Sequence, residues 1–145
     1  MTISDLIQLF VLLVAVAAVI VTLIINQKQT KILNNQLRSN FFSDYTKRYQ
    51  EIMLHIPDEI LSDTYDYSKL DSETKCYLRA YIDLCSEEYY LKINNNIDEY
   101  VWENWKDGIK YAFKRPVIRE AWNQFNKENY PDFKYWVNKN VFGND

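Results

Sequence analysis

Residues 6–25, LIQLFVLLVAVAAVIVTLII, carry no charged side chain, and no second run of comparable length follows. At about 1.5 Å per residue such a run makes a helix of about 30 Å, the thickness of a bilayer's hydrocarbon core. It predicts one transmembrane helix. A cleaved signal peptide would want a basic leader, a shorter apolar core and a small-residue cleavage site. Here Asp5 is the only ionisable side chain ahead of the run, which ends in Ile25-Asn26-Gln27.

The flanks set the orientation. Lys28, Lys31, Arg38, Lys47 and Arg48 follow the run, and no Lys or Arg precedes it. The positive-inside rule then places the chain from about residue 27 onward in the cytoplasm and the N-terminus outside, in the inner (cytoplasmic) membrane. Juxtamembrane Lys28 and Lys31 are accounted for by topology and contact with anionic lipid. Cys76 and Cys85 suit a reducing compartment. On one helix their nine-residue separation turns them through about 900°, to opposite faces, where they cannot pair.

Within the span, Gln8, Ala15 and Thr22 recur every seven residues, with Ala18 close to the same face. Small and hydrogen-bonding residues aligned in this way let membrane helices meet, since lipid gives them no hydrophobic reason to associate. The spacing continues at Gln29 and Gln36, which would extend the contact as a coiled coil. The alternative is a monomeric anchor with Gln8 at headgroup level.

Past the span, Leu33, Leu37, Phe41, Tyr45, Tyr49, Ile52 and Ile56 mark one stripe of an amphipathic helix, stopped by Pro57. The sequence thus reads as a transmembrane segment (1–27), a stalk helix (28–57) and a cytosolic helical domain (58–145). With Gly present only twice and Pro three times, tight turns and Gly-rich phosphate loops are disfavoured and helices favoured. Residues 58–70 are polar and aperiodic, a loop with room for a short helical turn. A helix follows over 72–92, with Asp71 as N-cap and Leu78, Ile82, Cys85 and Tyr89 on one face. Asn96 and Glu99 resemble a capping box opening a helix to Phe113, with Val101, Trp102, Trp105, Ile109 and Phe113 inward. Pro116 starts a helix over 116–127 that buries Val117, Ala121, Trp122 and Phe125. A last short helix after Pro131 presents Phe133, Trp136 and Val137. The expected fold is all-α, a small bundle behind a single span.

Little in this sequence supports catalysis. The single histidine, His55, cannot supply a di-iron bundle's paired ligands, and Cys76 with Cys85 lack zinc-site spacing, so no metal or catalytic residues are expected. Asp83 with Glu87, and Glu99 with Glu103, read as solvated faces. The basic corner is a better candidate. Lys106, Lys110 and Lys114 recur every four residues, Arg115 and Arg119 flank Pro116, and Trp105, Tyr111 and Trp122 offer stacking surfaces. Against this, Glu103 and Asp107 stand three residues before Lys106 and Lys110, as on an ordinary exposed helix face.

The pattern Trp102-x-x-Trp105-x-x-Gly108-Ile109, then Phe113-x-x-Pro116-x-x-Arg119-x-x-Trp122 and Tyr130-x-x-Phe133, resembles small bacterial single-pass proteins with a helical cytoplasmic domain. These include CRISPR-associated membrane effectors gated by cyclic oligoadenylate, and the resemblance covers residues 75–137. It implies a non-enzymatic antiphage-type effector that senses a cyclic oligonucleotide and perturbs the membrane through oligomeric helices. The implied ligand is cyclic oligoadenylate, with no other cofactor. Implied partners are lipid and further copies of the chain, and not a long nucleic acid. The alternative is a membrane-tethered scaffold that docks a cytosolic protein. Chemical crosslinking of the chain in detergent is expected to trap oligomers, and an exclusively monomeric species would refute the seven-residue contact face.

Overall fold

The computed structural model describes residues 2–62, 64–125 and 130–143, and every regular element among them is helical. The chain divides into two compact units, Met1–Ser39 and Asn40–Asp145. The division falls inside the segment that the sequence suggests as a stalk.

The first unit is made by the leading part of α1 (Ile3–Met53). Residues 2–37 are all exposed, including the apolar side chains of the span. The helix is long and apolar enough to cross a membrane, and its apolar stretch is buried nowhere in the protein. That distinguishes it from the core helix of a soluble domain. Its Thr22 hydroxyl donates to the Ala18 carbonyl oxygen at 2.9 Å. One polar group of the proposed contact face is thereby satisfied within its own helix.

In the second unit the last turns of α1 carry Phe41, Tyr45, Ile52 and Met53 against the core. The sequence extends this helix to Ile56, but the α pattern stops at Met53. His55 and Ile56 donate their N–H groups to the carbonyls of Ile52 and Met53, a tightened final turn. Pro57 disfavours α geometry in the residue before it, and buried Ile56 turns the chain inward. Residues 58–70, expected as loop, form 3-10 turns at Asp58–Leu61 and Tyr67–Lys69 that pack on α4 (Pro116–Phe125). Ile60, Tyr67 and Leu70 are buried there.

Helix α2 (Ser72–Ile93) opens as expected on Asp71, whose carboxylate accepts from the Thr74 N–H at 2.7 Å. Leu78, Ile82 and Cys85 are buried, Tyr89 is half-buried and Cys76 is exposed, so the two thiols lie on opposite faces. Helix α3 (Glu99–Phe113) does not use the expected capping box. Asp98 takes the N-cap position, Glu99 is the first helical residue, and its carboxylate pairs with Lys92. The shift follows from Ile97, which is buried and so fixes the path of the chain before the helix. Helix α4 begins at Pro116 as expected; residues 126 and 127 of its expected end lie outside the described residues. Tyr130, at φ 59°, leads into α5 (Pro131–Val137) and a closing π-helical turn, Asn138–Phe142.

The core is aromatic. Phe113, Trp122 and Phe133 meet edge to face in a closed triangle with centroids 5.4 to 6.0 Å apart, the arrangement that ring quadrupoles favour. Tyr89, Trp102 and Trp136 extend it. Removing the largest of these side chains leaves a cavity that the surrounding helices can only partly close. Trp122→Ala is expected to cost about 3–5 kcal/mol of stability, read by near-UV circular dichroism of the full chain in detergent.

Candidate functional site

The backbones of α2, α3 and α4 approach one another closely, whereas the end of α1 meets them chiefly through long side chains. Arg48 reaches Glu87 on α2 with two hydrogen bonds, 2.5 and 3.2 Å, and the Tyr45 hydroxyl donates to the same carboxylate at 3.1 Å. Phe42 and Tyr45 lie against Trp105 on α3, with centroids 6.2 and 5.7 Å away, and Tyr49 lies against Tyr81. Between these bridges is a pocket of about 490 Å³. Phe42, Tyr45, Tyr49 and Met53 line it from α1, Tyr81 and Glu88 from α2, and Trp105, Gly108, Tyr111 and Ala112 from α3, with Arg115 just beyond.

Helical rotation explains which α3 residues arrive here. Four residues advance about 400°, so Lys106, Lys110 and Lys114 stay in register along one side, while Trp105, Gly108, Ala112 and Arg115, spaced three, four and three, form a neighbouring stripe. The basic corner expected from the sequence is therefore split. Lys106 pairs with Glu103. Arg115 joins the pocket, with its guanidinium 4.6 Å above the Tyr111 ring and donating to the Tyr111 hydroxyl. Lys114 and Arg119 line a different depression with Asn123, Val141 and Phe142, where Arg119 lies 5.2 Å over the Phe142 ring. Lys110 is half-buried on α3. Trp122 is a correction: at 1% exposure it belongs to the core triangle and has no face to offer a base. Trp105 and Tyr111 do reach the pocket.

The expected solvated face at Asp83 and Glu87 is also revised. Glu87 carries the Arg48 and Tyr45 bonds, and Asp83 accepts from the Tyr130 hydroxyl. Burial and this carboxylate together push the Tyr130 phenol up to about 12. His55 is a packing residue, stacked on Tyr77 at 4.2 Å. Gln8, Ala15, Ala18 and Thr22 are exposed on α1. Among the described residues no group of His, Cys, Asp or Glu side chains is placed to hold a metal ion.

The residue that sequence reasoning missed is Glu88. It is 6% exposed, lines the pocket, and takes no hydrogen bond from another described residue. Its signal was present: Leu78, Tyr81, Cys85, Glu88 and Leu91 follow the three-and-four spacing of the buried face, and one of them is a carboxylate. Burial pushes the Glu88 carboxyl up to about 8, with Glu87 adding to the rise and Arg48 opposing it. Next to it, the hydrogen bonds from Arg48 hold Glu87 below the ordinary carboxylate range.

No known protein family, curated protein or solved structure matches this chain.

The Glu88 shift carries a sign. Between about pH 4.5 and pH 8 the unfolded chain has lost this proton and the folded one keeps it, so folding binds protons and stability falls as pH rises. Arg48 and Glu87 are the charges acting on it, with Tyr81 and Arg115 also lining the pocket. Glu87, with its lowered value, titrates below this window. Thermal unfolding of the full chain in detergent is expected to lose on the order of 3 kcal/mol from pH 5 to pH 8 through this group, and Glu88→Gln to remove that slope.

Proposed function

We propose that this chain is a single-pass, non-enzymatic receptor of the cytoplasmic membrane. Residues 6–25 anchor it with the N-terminus outside, and the unit from residue 40 onward binds, in the cytoplasm, an anionic ligand that carries planar rings. A cyclic oligonucleotide of the cyclic oligoadenylate type, implied by the sequence resemblance, is the ligand proposed. The observation that carries this reading is the aromatic pocket beside Trp105 with Arg115 on its lining. Aromatic rings take bases by stacking, and a guanidinium takes phosphate oxygens in bidentate fashion. A ligand that prefers one arrangement of associated chains would shift the population toward it, and the spans would transmit this to the bilayer as an antiphage-type effector.

The alternative reading, a scaffold that docks a cytosolic protein, is favoured by the exposed aromatic side chains on this pocket's lining, Phe42, Tyr49 and Tyr111. Recovery of one stoichiometric protein with the purified chain, and no nucleotide, would decide for it.

The full chain in detergent is expected to bind cyclic oligoadenylates. Arg115→Ala and Trp105→Ala should each weaken binding about tenfold or more, and Lys106→Ala should leave it within about twofold. Liposomes containing the chain should leak dye only when ligand is added. Absence of binding together with absence of leakage would overturn the proposal.

A further inference from the structure

Glu88 is a carboxyl on the buried face of α2 that takes no hydrogen bond from any other described residue. The cation whose field reaches it, Arg48, is committed to Glu87 by two hydrogen bonds. Arg115 donates to Tyr111, so neither guanidinium near the pocket is paired with Glu88. Among the described residues no fully occluded side-chain nitrogen or oxygen lacks a partner. The unpaired Glu88 carboxyl therefore opens onto the pocket it lines. A mostly buried carboxyl is poorly solvated, and a ligand group that pairs with it through the pocket makes a hydrogen bond that no described side chain supplies.

The surroundings restrict what that group can be. Trp105, Tyr45 and Phe42 offer ring faces and edges, and Gly108 adds room because a Cβ built there meets nothing within 4 Å. A flat ring system suits these walls. A carboxyl offers two adjacent polar atoms, one donor and one acceptor when protonated and two acceptors when ionised. The edge that meets it in both states is amidine-like, a ring nitrogen beside an exocyclic amino group. The acid O–H donates to the ring nitrogen while its carbonyl oxygen accepts from the amino N–H. With the proton on the ring nitrogen instead, the same two bonds form between opposite charges.

We propose that Glu88 is the recognition residue of this pocket, pairing through its carboxyl with the amidine-like edge of an aminopurine or aminopyrimidine ring laid against Trp105 and Tyr45. This rests on reading the pocket as a ligand site, and it adds which part of the ligand enters it and what reads that part.

The probe is 4-aminoquinazoline, a flat bicycle with this edge and no phosphate, titrated calorimetrically into the full chain in detergent. It is expected to bind, and 4-(dimethylamino)quinazoline, which lacks the N–H donors, to bind about tenfold or more weakly. Glu88→Met should lose about 10- to 100-fold, whereas Glu88→Gln, whose amide keeps one donor and one acceptor, should stay within about threefold. Gly108→Leu, filling the pocket from a position with open space, should abolish binding while near-UV circular dichroism reports an intact fold. No binding of the probe to the natural chain, equal binding by Glu88→Met, or equal binding of the dimethylamino analogue would overturn the inference. The two readings fail differently. Glu88-dependent probe binding that cyclic oligoadenylates do not displace leaves the inference standing and removes the proposed ligand. Cyclic oligoadenylates bound alike by the natural chain and Glu88→Met keep the ligand and remove the inference.

Discussion

Arg48 and Glu87 join the end of α1 to α2 across a gap that neither backbone closes. Tyr45 reinforces the pair from the α1 side, Tyr49 and Tyr81 span the same gap with rings, and Phe42 and Tyr45 reach Trp105 on α3. Each contact is modest. Arg48 and Glu87 are both close to half exposed, which limits such a pair to about 1 kcal/mol, and a ring pair adds about 0.5–1.5 kcal/mol beyond its buried area. The triangle of Phe113, Trp122 and Phe133 is closed and fully buried, so it sets the stability of the unit. The pocket therefore lies where the fold is held by its weaker terms. Segments held in that way open at lower free energy than the core and are the ones that binding can reshape.

Neighbouring carboxylates on α2 meet opposite fates because one residue turns a helix by about 100°. Glu87 points at a guanidinium and stays ionised; Glu88 points into an apolar pocket and holds its proton. The pairing of Arg48 with Glu87 is part of the reason Glu88 is left alone. A single cation engaged in two hydrogen bonds has little capacity for a second carboxylate, and its field lowers the Glu88 value by less than burial raises it.

The features legible in the sequence were those that one element decides alone. The long apolar N-terminal helix, the Asp71 N-cap of α2 and the Pro116 start of α4 depend on local residues, and each is found where the pattern placed it. Features decided between elements were not legible. Asn96 has a good capping sequence, but the need to bury Ile97 moves the N-cap to Asp98. Residues 58–70 have no period because they close over α4 with three scattered anchors, Ile60, Tyr67 and Leu70. Trp122 sits among basic residues in sequence, yet the i to i+4 stripe of α4 turns it into the core. Spacing identified the lysines as one face of α3 but gave no sign that Arg115, one turn past Tyr111, belongs to another. Glu88 was readable as a misfit in an apolar stripe, and was hidden by its neighbour Glu87.

The two glycines complete the physical case for the pocket. Gly143 has φ +68°, a conformation that L side chains rarely adopt, so backbone geometry accounts for it. Gly108 has no such reason: it lies inside α3, where glycine costs roughly 0.5–1 kcal/mol relative to alanine, and no neighbour would crowd a Cβ there. Helix stability and core packing would both accept a larger residue. What glycine leaves at this position is open volume, on the stripe that also carries Trp105 and Arg115 and on the lining of the pocket that Glu88 shares. Open volume at Gly108 and a carboxyl that no described side chain pairs are thus found on the lining of one pocket.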